Sequence, residues 1–148
     1  MADWIQALKN LHDQGAKSET GHASLMEPKE LIALAASLAR PFSPSAECSS
    51  GTVAAALVTA ESSVFTGVCL DTRCSLGFCA EHAAIAEMLK AHQSNVRMIA
   101  AVNKDGAVLL PCGRCRELLW QVDDRNWDTW VVLGANEGAR LYELLPRR

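Results

Sequence analysis

The sequence has no basic run. Its 14 Lys and Arg residues are scattered, and the only adjacent pair is Arg147-Arg148. Against 17 Asp and Glu they leave a net charge of -3. Proteins that grip a phosphate backbone carry a basic patch or stripe, so nucleic acid is disfavoured as a partner. Aromatic residues make up only 5% of the chain, too few to favour a base-stacking platform. No apolar run approaches the ~20 residues of a membrane span. No charged-then-apolar pattern marks a secretory leader at the N-terminus. Internal repeats and low-complexity tracts are also missing. These absences leave a soluble, cytoplasmic protein without a membrane partner as the expectation.

What is present is ordinary globular material. Hydrophobic residues make up 49% and charged residues 21% of 148, which suits one compact domain and argues against disorder. Residues 3–14 read as a short amphipathic helix, capped by Asp3, with Trp4, Ala7, Leu8 and Leu11 at helical spacing. A polar linker follows to residue 27. Residues 1–27 are thus expected to be an extension, and residues 28–148 the main domain.

In that domain Pro28 opens a helix with Leu31, Leu34, Ala35 and Leu38 on one face, and Pro41 ends it. Residues 41–51 read as a loop. Val53–Val58 and Val64–Leu70 flank the polar turn Glu61-Ser62-Ser63 and predict an antiparallel hairpin. Cys79–His92 reads as a helix with Ile85, Met88, Leu89 and His92 on one stripe. Val96–Val102 reads as a strand, and Lys104-Asp105-Gly106 as a turn. Pro111 starts a helix carrying Cys115, Leu118, Leu119 and Val122. A last strand spans 130–133, and Asn136-Glu137-Gly138 turns the chain toward 141–145. Strand, helix and strand alternate after the hairpin, which predicts an α/β protein with helices packed on a mixed sheet.

Six cysteines punctuate this pattern: 48, 69, 74, 79, 112 and 115. A chain this long, with this much apolar material, does not need disulfides to hold a core. Metal binding is the better reading for the cysteines at motif spacing. Cys79 opens one predicted helix, and Cys112 and Cys115 sit three apart at the start of another. Helix starts offer N–H groups and a positive dipole end, which favour thiolates. Three thiolates suit zinc and leave its fourth position for water, whereas a structural site closes with four protein ligands. His82 or Cys74 could supply a fourth. Glu81, two residues after the first thiol, is placed to move a proton without binding the metal. His82, Arg114 and Arg116 are candidates for a cation that offsets the negative charge.

Cys79-Ala80-Glu81 with Pro111-Cys112-Gly113-Arg114-Cys115 resembles the cytidine deaminase family, in its Cys-first form. That form is similar to the small free-nucleoside and blasticidin-type deaminases. Val53-Ala54-Ala55-Ala56-Leu57, Phe65-Thr66-Gly67-Val68 and Glu143-Leu144-Leu145-Pro146 extend the resemblance over roughly residues 29–146. It implies a three-layer α/β/α sandwich and hydrolytic deamination of a pyrimidine nucleoside by water, as in pyrimidine salvage. It also implies a homotetramer. By position Cys79, Cys112 and Cys115 would ligate Zn2+ and Glu81 would be the catalytic proton shuttle. Substrate would be held by the Ala80 backbone and the Leu110 carbonyl. Sugar hydroxyls would meet Cys69 and Asp71.

This chain departs from the family on the sugar side. The usual Asn-x-Glu reads Cys69-Leu70-Asp71, the usual aromatic-proline pair reads Gly51-Thr52, and the usual Arg after the glutamate is His82. The same chemistry on a modified nucleoside, a blasticidin-type antibiotic or another aminated heterocycle is the alternative, and a non-catalytic zinc-binding protein is a third. Elsewhere, Cys48 and Cys74 read as packed or surface thiols. His12 and His22 read as solvated, and His92 as a boundary core residue. Trp120, Trp127 and Trp130 read as core or subunit contacts.

Overall fold

The computed structural model describes residues 26–145. The expected helix at 3–14 and nearly all of the linker lie outside the described residues. Helix α1 (Pro28–Leu38) comes first, with Pro28 at its first position and the Glu27 N–H held by the Glu30 carboxylate at 2.8 Å. Strands β1 (Phe42–Ser45), β2 (Cys48–Thr59) and β3 (Val64–Thr72) follow. Helix α2 (Ala80–Lys90) leads to β4 (Val96–Asn103) and the two-residue β5 (Val108–Leu109). Helix α3 (Gly113–Val122) leads to β6 (Trp130–Gly134), β7 (Glu137–Arg140) and the single turn α4 (Leu141–Leu144).

These strands form one mixed sheet in the order β1-β2-β4-β6-β7, with β3 on the other side of β2 and β5 on β4. Every pairing is antiparallel except β4 with β6. That parallel pair requires a crossover, which α3 supplies. Period-two alternation divides the sheet into two apolar faces. Ala55 and Leu57 of β2, with Ile99 and Ala101 of β4, pack beneath α2, α3 and α4. Ala56 and Val58, with Met98, Ala100 and Val102, pack against Leu31 and Ala35 of α1. The expected three-layer α/β/α arrangement is therefore what forms.

The buried Asn126 ties the crossover together. Its carbonyl oxygen accepts the Val96 N–H at 2.7 Å, and its amide donates to the Ser94 and Leu119 carbonyls at 3.0 and 2.9 Å. The Thr129 hydroxyl donates to the Val96 carbonyl at 2.7 Å. One buried amide thus joins the start of β4 to the end of α3, with each of its polar groups satisfied.

Some local expectations change. Residues 41–51 are not a loop, because β1 and the start of β2 occupy most of them. Every residue of β1 is exposed, so it carries no hydrophobic alternation, and Pro44 is tolerated because β1 ends the sheet. Pro111 is not inside a helix; Cys112 is the N-cap of α3. His92 is exposed and lies at φ 59°. Its N–H bonds the Leu89 carbonyl and the next N–H bonds that of Met88, a left-handed helix stop. Leu89 is 44% exposed, so the core stripe of α2 is Ala84, Ile85 and Met88.

Helix α2 lies unusually close to β3 at Gly67. A Cβ there would sit 2.4 Å from the Ala84 nitrogen and 2.6 Å from the Ala80 carbonyl oxygen. Those atoms are helix backbone and cannot move aside alone. Gly67→Ala should therefore lower stability by about 2–4 kcal/mol, the scale of overpacking against an unyielding wall. An unchanged midpoint in urea unfolding would show that α2 is free to shift outward.

Candidate metal and substrate site

The site forms where two helix starts meet. Cys79 is the N-cap of α2, with extended backbone, and Glu81 follows in the first turn. Cys112 is the N-cap of α3, and its Sγ accepts the Cys115 N–H at 3.4 Å. A sulfur here takes the capping role that Ser or Asp usually plays. The Cys79 and Cys112 sulfurs lie 3.8 Å apart, and Cys112 and Cys115 lie 3.3 Å apart. All three sulfurs fall within 4.8 Å of one another. Among the described residues this is the metal-competent cluster, and Cys74 lies outside it, exposed at φ 57° in a 3₁₀ turn.

Charge explains why these residues need a cation. Burial pushes the Cys115 thiol far above the ordinary range, and the Glu81 carboxylate pushes it the same way. Burial also raises Cys79. Burial acts on Cys112 too, but hydrogen bonds from Cys115 outweigh it and bring that thiol down. Three thiolates this close together, beside a 4%-exposed carboxylate, would repel one another. A divalent cation removes that penalty. Tetrahedral Zn–S bonds of about 2.3 Å would set sulfurs about 3.8 Å apart, close to the spacing present. The residues fit zinc, held by Cys79, Cys112 and Cys115.

A cavity of about 490 Å³ opens over the sulfurs. Seven of the eight residues expected from sequence line it: Cys69, Asp71, Cys79, Ala80, Glu81, Leu110 and Cys112. Cys115 is fully buried and is not among the lining residues. Leu70 pairs with Phe78 through two 2.9 Å backbone hydrogen bonds, which fixes the chain leading into Cys79.

Sequence reading gave no site role to Thr52, Phe78 and Leu109, which also line the cavity, and Arg114, a candidate cation in the sequence, lines it with them. Phe78 and Arg114 lie inside the two cysteine motifs. Thr52 is 27 positions before Cys79, and its only local signal is the preceding glycine, a common mark of a strand irregularity.

The three candidate cations separate. Burial, and then the nearby Arg114 charge, pull His82 below its ordinary range, which leaves it neutral at pH 7. Its Nε2 is buried without a hydrogen-bond partner. Arg116 donates through Nη1 to the Leu144 carbonyl and so ties α3 to α4. Arg114 is the cation on the cavity wall. Trp120, Trp127 and Trp130 are not among the residues that line the cavity. Trp120 and Trp127 meet edge to face at 6.4 Å, and Trp130 lies under the Arg140 guanidinium at 5.4 Å.

Comparison with known proteins agrees with this geometry. Residues 26–130 match the family model of the cytidine and deoxycytidylate deaminase zinc-binding region. Cytidine deaminase from Mycobacterium tuberculosis superposes with a TM-score of 0.68 at 26% identity, covering 82% of this chain and 95% of that one. Cytidine deaminase from Burkholderia pseudomallei does so with a TM-score of 0.65 at 28% identity, covering 82% and 98%. No curated protein matches the chain in sequence. Three sulfurs spaced for zinc, a buried carboxylate beside them and a family match over most of the chain place it in the cytidine and deoxycytidylate deaminase zinc-binding family, as a zinc-dependent aminohydrolase.

Proposed function

We propose that the protein deaminates a cytosine-type nucleoside, converting cytidine or deoxycytidine to uridine or deoxyuridine with release of ammonia. The observation that carries this reading is the single cavity shared by Cys79, Cys112, the buried Glu81 and the polar wall at Asp71. An amine-bearing ring can meet the carboxylate at one part of the cavity while an attached sugar meets the other.

When bound, zinc supplies the Lewis acidity that makes a water nucleophilic near neutral pH. Glu81 does the proton work. Its carboxylate takes a proton from the attacking water and passes it to the ring nitrogen next to the reacting carbon. The new C–O bond forms at that carbon. Glu81 then carries the remaining hydroxyl proton to the amine, the C–N bond breaks, and ammonia leaves. One water is consumed and the carbonyl product keeps its oxygen. The Ala80 backbone and the Leu110 carbonyl are the proposed ring contacts, both at the cavity wall. Glu81 is 4% exposed, so it meets the reacting groups in a space largely shut off from bulk water.

The reading also takes residues 28–148 as the catalytic unit and a homotetramer acting in cytoplasmic pyrimidine salvage as the working form. Phe78 and Leu110 support the oligomer, since both expose apolar surface at the cavity mouth. No helix among the described residues is long and apolar enough to cross a membrane. The replacement of the family's sugar-reading pair by Cys69 and Asp71 favours a second reading, the same chemistry on a modified nucleoside, a blasticidin-type antibiotic or another aminated heterocycle.

Glu81→Gln should lower kcat by at least about 10³-fold, near the upper range for a lost general acid–base, while zinc content stays at one per chain. Ammonia release from cytidine and deoxycytidine by that variant at the parent rate would remove Glu81 from the mechanism. Cys112→Ser should lower both zinc content and thermal midpoint. Zinc added to the metal-free protein should displace protons, because Cys115 is protonated without the metal. Apparent zinc affinity should then rise with pH across the neutral range; calorimetric titration in buffers of different ionisation enthalpy reads the proton count directly.

A further inference from the structure

We infer that residues 3–14 dock as an amphipathic helix on the outer face of β3, beside α1. The N-terminal segment would then complete the α1 layer of the sandwich over its own chain's edge strand.

The docking face follows from alternation along β3. Val64, Thr66 and Val68 pair with Val58, Ala56 and Ala54. Cross-strand partners share a face of the sheet, and Ala56 and Val58 belong to the core beneath α1. The three β3 residues therefore point to the α1 side. Helix α1 packs there on β2, β4 and β6. Val64 and Val68 are left 37% and 36% exposed, and Thr66 half-buried. The opposite face of the same strand is closed, with Phe65 and Cys69 in the core beneath α2. Among the described residues, Val64–Val68 pairs with β2 alone. It is a free edge with an apolar face, the kind of strand that native proteins cover with another element.

The chain enters this layer at the near end of that face. Met26 packs against the core beneath α1, and Arg97 donates through Nη2 to its carbonyl at 3.5 Å. Arg97 lies between Val96 and Met98, which pair with Thr59 and Val58, and Val58 pairs with Val64. Arg97 and Val64 are thus two strand spacings apart, roughly 10 Å. Residues 15–25 span about 36 Å when extended, ample to set residues 3–14 on Val64–Val68. The substrate cavity is a far poorer destination. Its walls come from the other ends of β2 and β4, at Thr52 and Ala101, and from the helix starts on the opposite face.

The segment carries a surface that fits. Trp4, Ala7, Leu8 and Leu11 share one face at helical spacing, and Gln6, Lys9, Asn10 and Asp13 share the other. A helix this short is marginal by itself in water, so packing has to supply most of its stability. The family match begins at residue 26, so the segment is this chain's addition to the matched unit.

Hydrogen exchange read by mass spectrometry on the zinc-loaded full chain tests the docking. In the parent protein, amides of residues 5–14 should exchange at least about 10-fold more slowly than an unstructured chain, since a segment without packing opens at almost no free-energy cost. Leu8→Asp should remove that protection and speed exchange across residues 64–68. Val68→Asp should in turn remove protection from residues 5–14, while residues 96–102 stay protected and show that the sheet is intact. Thr66→Glu gives the same reading should Val68→Asp fail to fold, and Val68→Ile should match the parent. Exchange of residues 5–14 at the unstructured rate in the parent overturns the inference. So does protection of residues 5–14 that survives both Val68→Asp and Thr66→Glu, because the segment then docks elsewhere. Protection of residues 64–68 that falls on dilution and ignores Leu8→Asp assigns the face to a second copy of the chain, and this also overturns it.

Discussion

Crowded negative charge is the constraint around which this structure is built. Three thiols and a carboxylate converge on one small volume, with Cys115 and Glu81 buried at its inner side. Without a cation they cannot all ionise, and Cys115 is held protonated by burial and by Glu81. With one, their repulsion becomes coordination plus a carboxylate held nearby. The two helix N-termini add partial positive charge from the backbone. At Cys112 the N-cap side chain places its sulfur where a backbone N–H points, and it accepts that of Cys115.

The sheet exists, in functional terms, to bring those two helix starts together and hold a wall opposite them. Gly67 lets α2 press onto β3, which carries Cys79 and Glu81 inward. The parallel pairing of β4 and β6 sends α3 across the same face, which delivers Cys112 and Cys115. Asn126 locks that crossover by satisfying backbone groups from the start of β4 and the end of α3. A bulge in β2 at Gly51 then sets Thr52, Cys69 and Asp71 into the wall. Metal chemistry and substrate reading are thus carried by different strands and helices, so one can vary while the other stays.

Some of this was readable before any coordinates. The thiol spacing, Glu81 and the predicted helix starts pointed to a zinc site, because a metal demands particular atoms at short sequence separations. The apolar runs of β2 and β4 were equally legible, since each strand is covered on both faces and buries successive residues. Strand β1 was not, because it is fully exposed and shows no apolar period. His92 was misplaced because helical spacing cannot reveal a left-handed stop. Pro111 was put inside a helix because spacing does not distinguish an N-cap from the residue before it.

By itself the sequence determined the chemistry-bearing atoms and the alternating α/β order, since both depend on local spacing and on side-chain type. Only the tertiary structure decided which residues share the cavity with them. Thr52 reaches Asp71 because a glycine bulge rotates it there, and Cys69 turns out to be bonded to its neighbours on both sides. His82 was a candidate cation in the sequence, yet burial beside Arg114 keeps it neutral. Such outcomes depend on distances between residues far apart in the chain, and spacing along one strand or helix does not encode them.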